Sequence, residues 1–289
     1  MNKNAQHHRK SIMAEIGKIN HLTVIRELEF GVYFDGGELG KILLPRRQVD
    51  RHYENGEVVE VFIYRDSDDR LLATTRRPLA EVGEFAWLRA AAVTEFGAFL
   101  EWGLPKDLLV PFREQKQKME AGKYYLVYIY LDEKSGRIVA SSKLDKFVNT
   151  HPPEYQEGQE VTLLIYQQTD IGYSAIINQA HWGLLYNSEV FQKISPGQKL
   201  SGYIAKVRED GKIDLTLHKP GYDKVEAVAE NIIRRLIEEG GFIAVTDKSA
   251  PEKIYQLFGV SKKTYKMAVG ALYKQKLIVI EKDGIRLSG

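Results

Sequence analysis

The sequence has no cysteine in 289 residues. That excludes disulfides and thiolate metal sites and fits a reducing cytoplasm, the expected location. No apolar run is long enough to span a bilayer, and no secretory signal with an apolar centre is present, so no membrane role is expected. Net charge is nearly absent as well: 41 basic against 39 acidic residues leave +2. Any nucleic-acid contact must therefore rest on local patches rather than on a global field. Signatures of catalysis are missing too. "DGGELGK" lacks the spacing and hydroxyl of a phosphate-binding loop, and no "GxSxG" elbow occurs. The histidines are scattered, apart from His7 and His8, and "DSDDR" at 66–70 reads as a hairpin turn rather than a metal loop. The pattern calls for no enzyme, metal or cofactor.

What is there is ordinary globular composition, 44% hydrophobic and 28% charged. Residues 1–12, polar and basic without periodicity, read as a disordered extension. The patterned sequence then repeats itself. Gly17, Gly83 and Gly158 each open a strand, and Gly31, Gly97 and Gly172 precede "VYF", "AFL" and "YSA". Pro45, Pro111 and Tyr186 end "ILLP", "LLVP" and "GLLY", and Gly56, Gly122 and Gly197 begin a long alternating strand. All of these landmarks keep register across three copies, which is the signature of a structural repeat. Each copy reads as five strands with a hairpin turn before the last, the economy of a small Greek-key barrel of the OB type. In "FGAFLEWG", Gly97 between Phe96 and Phe99 reads as the site of a β-bulge that turns both rings to one side.

After residue 221 the period changes. Val225, Val228, Ile232, Ile233 and Leu236 fall at helical spacing, stopped by Gly240 and Gly241. A second helix follows with Ser249 as its cap and Pro251 in its first turn, and a third is capped by Ser261. A hairpin around Asp283 and Gly284 closes the chain. This is the layout of a winged helix. In its third helix Tyr265, Ala268, Val269 and Leu272 form the apolar face, and Lys262, Lys263, Lys266 and Tyr273 form a basic face opposite. The fold expected is a mainly β multidomain chain: OB-type barrels at 13–77, 78–150 and 151–221, and an α+β winged-helix domain at 222–289.

"FGAFLEWG" resembles the S1 motif, an RNA-binding OB repeat. The resemblance implies that Phe96 and Phe99, and Phe30 and Tyr33 in the first copy, face RNA. The third copy has Ile171 and Ser174 there and keeps "GLLYNSE", so Tyr186, with Trp182, is its weaker candidate. Arg46, Arg47, Lys106 and Arg113 flank the loops bordering that face, and Trp102 is expected to pack under the loop. OB barrels hold single strands by stacking bases on aromatics while basic side chains follow the backbone.

Three such barrels ahead of a winged helix resemble the bacterial family named for conserved virulence factor B, on stretches including "VYFDGGELGKILLP", "GLLYNSEVF" and "SKKTYKMAVGALYK". The resemblance implies a non-catalytic single-stranded RNA-binding regulator of gene expression. The alternative is a scaffold whose winged helix docks a protein partner or duplex DNA.

Overall fold

The structure, a computed structural model, describes residues 14–190, 193–218 and 224–288. The expected extension at 1–12, with His7 and His8, lies outside the described residues. The chain divides into two compact units between Lys146 and Phe147.

The first unit holds two barrels. In one, β1 (Ile19–Leu28), β2 (Gly31–Asp35), β3 (Lys41–Pro45), β4 (Val58–Arg65) and β5 (Leu71–Thr74) close in the order β1-β2-β3-β5-β4. In the other, β6 (Phe85–Thr94), β7 (Gly97–Glu101), β8 (Leu108–Pro111), β9 (Tyr124–Leu131) and β10 (Ile138–Ser141) close in the equivalent order. The second unit begins with a third barrel of the same order, β11 (Glu160–Gln168), β12 (Gly172–Ile177), β13 (His181–Tyr186), β14 (Lys199–Val207) and β15 (Ile213–Thr216). Third and fifth strands pair in parallel in every barrel, and the other pairs are antiparallel. Closure leaves no unpaired strand edge in any of them.

Alternation fills each barrel. Val32, Phe34, Ile42, Leu44, Val61 and Ile63 point into the first, and Leu163, Ile165, Ala175, Leu185, Ile204 and Leu215 into the third. The second barrel's core does not stop at its own wall. Phe62, Tyr64 and Leu72, on the outer face of the first barrel, join one apolar cluster with Leu100, Trp102, Leu104, Val127 and Ile129. Phe62 meets Trp102 edge-on at 5.7 Å. Trp102 is buried, and its Nε1 donates to the carbonyl of Lys106 at 2.6 Å, so it does pack under the loop.

The expected bulge at Gly97 is not there. Thr94 pairs with Gly97, leaving Glu95 and Phe96 as the two residues of the β6–β7 turn, and the register slips one strand earlier, between Ala90 and Ala92. The first barrel repeats this between Val24 and Arg26, and the third between Ile165 and Gln167. Close approach is what requires the glycine. A Cβ on Gly31, Gly97 or Gly172 would sit 2.1, 2.3 or 2.2 Å from the carbonyl oxygen of Leu44, Val110 or Leu185 on the facing strand.

The winged-helix region comprises α1 (Lys224–Glu238), β16 (Phe242–Ile243), α2 (Pro251–Phe258), α3 (Lys262–Lys274), β17 (Ile278–Ile280) and β18 (Ile285–Leu287), with sheet order β16-β18-β17. Val228, Ile232 and Leu236 of α1 pack on Ile254 and Phe258 of α2 and on the expected apolar face of α3, Tyr265, Ala268, Val269 and Leu272. β16 is too short to leave a periodicity in the sequence. Ser261 caps α3, accepting from the Thr264 amide at 3.2 Å. Ser249 does not cap α2: Ala250 is its N-cap, and the Ser249 hydroxyl accepts from the Thr246 amide instead. Pro251 starts the helix with its own φ, so the missing cap is tolerated there.

Candidate nucleic-acid interface

Strand register places one row of outward residues across the second, third, fifth and fourth strands of each barrel. In the second barrel the row is Phe99, Leu109, Val139 and Tyr130. In the first it is Tyr33, Leu43, Leu72 and Tyr64. In the third it is Ser174, Leu184, Asp214 and Lys206. Side chains alternate across a pleat, so each row stands on the face opposite the core. The first two rows are aromatic and aliphatic, the third largely polar.

The second barrel's row opens into a cleft of about 310 Å³. Phe96, Phe99 and Leu109 line it from the second barrel, and Tyr64 and Arg65 from the first. Phe96, at the tip of the β6–β7 turn, is 66% exposed, whereas Phe99 is half-buried on the strand. The two rings thus reach one cleft through a turn and a strand. Lys106 and Arg137 bring positive charge to it. Lys106 is half-buried and reaches the Arg65 carbonyl at 3.4 Å. Burial first, and the nearby Arg137 guanidinium second, hold its ammonium below the usual lysine range. Arg137 grips Asp69 of the first barrel through two hydrogen bonds of 2.7 and 2.9 Å. That guanidinium holds the Asp69 carboxyl below its ordinary value.

The other expected residues divide. In the first barrel Phe30 is exposed and meets Tyr33 edge-on at 5.9 Å, a corner rather than a flat stack. The rest of that row is spent on packing: Leu72 and Tyr64 are buried in the cluster shared with the second barrel. Arg46 is committed to Glu27, while Arg47 is exposed with no partner among the described residues. Arg113 is exposed and 3.6 Å from Asp132. In the third barrel the Tyr186 hydroxyl accepts from Arg208, which also pairs with Asp214, so that phenol is occupied. Trp182 is half-buried against Tyr166, with ring centroids 5.5 Å apart, and lines a cleft of about 370 Å³ with Arg208 and Asp214. On α3 the four expected residues do not form one free face. Lys262 is half-buried and donates to the Ser249 carbonyl at 2.9 Å, and Lys266 lies 4.0 Å from Asp247. Lys263 and Tyr273 are exposed.

Sequence reasoning missed Arg137, Arg65, Tyr64 and Asp107 of the cleft. Arg137 and Asp107 had a readable signal, since each sits two positions before a row residue that the repeat register identifies, Val139 and Leu109, and so on the same face. Tyr64 and Arg65 had none, because they belong to the neighbouring barrel. Among the described residues no cluster of metal-ligating side chains occurs, and no helix is long and apolar enough to cross a membrane.

Comparison with known proteins matches the first two barrels and the winged-helix region to family models. The S1 domain model matches residues 16–76 and 82–143, and the CvfB-like winged helix domain model matches residues 230–287. The uncharacterized protein YitL of Bacillus subtilis is 28% identical over 262 residues, covering 88% of this chain and 87% of that one. Conserved virulence factor B of Staphylococcus epidermidis is 24% identical over 283 residues, covering 94% of this chain and 95% of that one. A Streptococcus pneumoniae crystal structure, described as a multidomain protein with nucleic acid binding domains, is similar at 24% identity with a TM-score of 0.42. That match covers 94% of this chain and 98% of the other.

Proposed function

We propose that this chain, which carries S1 domains ahead of a CvfB-like winged helix and is similar along most of its length to conserved virulence factor B, binds single-stranded RNA without catalysis and regulates gene expression. The observation that carries this reading is the cleft of the second barrel, where an exposed ring and a half-buried ring stand beside two cations. A base is flat and apolar on its faces, and its phosphate is anionic, so one nucleotide satisfies both halves of the cleft. The first barrel contributes chiefly a wall, since Tyr64 and Leu72 of its own row are buried in the shared cluster. The winged helix, with Lys263 exposed on α3, assists by contact with the backbone.

The test is a filter-binding titration of the full chain with single-stranded RNA, single-stranded DNA and duplex DNA. Replacing Phe96 and Phe99 together by alanine should weaken RNA binding by ~1–3 kcal/mol for each lost stack. Affinity should also fall with salt in proportion to the phosphates contacted. A double variant that binds as tightly as the parent removes the platform.

One observation favours a second reading, in which the winged helix docks a protein. Met267 and Tyr273 on α3, and Leu277, Val279 and Ile280 at β17, are exposed apolar side chains that a phosphate backbone leaves unused. On that reading duplex DNA is ignored and a protein complex survives moderate salt.

A further inference from the structure

Asp107 lies in the cleft with the two phenylalanines, immediately before β8. It is half-buried, and among the described residues its carboxylate has no hydrogen-bond or ion-pair partner. Burial, with the charge of Glu101 behind it, raises its carboxyl above the ordinary aspartate value. A desolvated carboxylate without a donor is costly to keep, and a ligand that supplies donors relieves that cost. The neighbouring residue, Lys106, lines the same cleft and is a donor only. Its single long contact to the Arg65 carbonyl leaves further N–H groups free. The cleft therefore presents, from successive residues, a cation that donates and a carboxylate that accepts twice.

Nucleobase edges differ in how they answer that pair. Guanine offers O6 as an acceptor beside N1–H and N2–H as adjacent donors. Adenine offers one amino donor beside an acceptor nitrogen. Uracil flanks its one N–H with two carbonyls, which a carboxylate repels. Cytosine has an amino donor followed by two acceptors. Only the guanine edge gives one acceptor to an ammonium and two donors to a carboxylate. The repeat adds an independent point. Shifted by the register of the copies, position 107 becomes Lys41 in the first barrel and Trp182 in the third. Trp182 likewise lines the cleft of its own barrel. This position thus faces the cleft in both barrels and differs chemically in every copy, as a position that sets selectivity would.

We propose that the cleft between the first two barrels selects a guanine stacked on Phe96 and Phe99, with Asp107 accepting from its N1–H and N2–H and Lys106 donating to its O6. This rests on the single-stranded RNA reading and names what that site prefers.

The test uses the full chain and U-rich RNA hexamers with a single central guanine, adenine, cytosine or inosine, followed by fluorescence anisotropy. The parent should bind the guanine hexamer roughly 5- to 150-fold more tightly than the adenine one, the range for one bidentate base contact. Inosine, which lacks the 2-amino group, should lose part of that preference. D107N should erase the preference, binding guanine and adenine hexamers alike, and the F96A/F99A variant should lose affinity for all four. If the parent binds all four equally and D107N changes nothing, guanine selectivity is wrong and the RNA platform stands. If no hexamer binds to the parent, both readings fall together. The inosine comparison needs no variant, so a folding defect in D107N cannot mask the result.

Discussion

The three equivalent glycines show how one residue fixes a binding face. Gly97 has φ of +142°, and a Cβ there would lie 2.3 Å from the Val110 carbonyl oxygen and 3.0 Å from the Pro111 Cα, both of them backbone atoms. Neither can move without opening the β7–β8 pair, whose ladder runs from Gly97 and Pro111 to Leu100 and Leu108. Gly97→Ala should therefore cost about 3 kcal/mol, with strained backbone and clash adding. Gly122→Ala is the matched control. It also has positive φ, +84°, but the space around its Cβ is empty, and it should cost about 1–2 kcal/mol. Urea denaturation of the two variants separates clash from backbone preference, and equal losses would discard the close-approach account. The glycine was legible in the sequence but its purpose was not. "FGAF" fits a bulge as well as a tight turn, and only the facing carbonyl decides between them.

At the scale of elements, barrel closure was legible, because alternation and turn chemistry are local. The seam that closes the second barrel was not. β8 and β10 pair in parallel through a single register position, Leu109 with Val139. Beyond it the turns that follow the two strands continue the seam: the Ser142 amide donates to the Glu114 carbonyl at 2.9 Å, and Lys146 Nζ reaches the Glu114 carboxylate at 2.9 Å. Glu114 and Lys146 are 32 residues apart in sequence, so no spacing announces them. Burial works to raise the Glu114 carboxyl, but hydrogen bonds from Lys146 and Ser141 outweigh it and leave the value lowered. A lowered folded pKa stabilises fully above the unfolded value of about 4.3. That stability is lost as pH falls through the depressed value beneath it. K146M should destabilise the protein at pH 7 by about 1–2 kcal/mol, discounted for a lysine that is half exposed. The gap between K146M and parent should close as pH falls through that depressed value, because Glu114 is then protonated in both. Thermal melts in a series of steps downward from pH 7 check this, and a gap independent of pH would remove the ion pair from the seam. The same long-range logic applies to a site residue in the third barrel. Tyr186 matched an S1 position, yet Arg208, arriving from β14, occupies its hydroxyl.

For the molecule as a whole, the consequential feature is that the first two barrels share a core. Among the contacts that join them, an ion pair and an apolar joint differ in magnitude. The Arg137–Asp69 pair is bidentate but half exposed on both sides, a class worth about 0–1 kcal/mol. The apolar joint buries Phe62, Tyr64, Leu72 and Trp102 together, and truncating one such ring costs about 3–5 kcal/mol. Packing, then, holds the cleft at its width and the ion pair trims its edge. Phe62 is the residue with which to prove this, since it is fully buried in the joint yet does not line the cleft. In the parent, calorimetry of the full chain should show the first two barrels melting in one transition, because neither can lose its outer wall without exposing the other. F62A should split that transition in two. It should also weaken single-stranded RNA binding although Phe96, Phe99, Lys106 and Asp107 are untouched, because one wall of their cleft comes from the first barrel. An F62A chain that melts in one transition and binds RNA like the parent would mean that the barrels act independently and that the second needs no partner to hold a base.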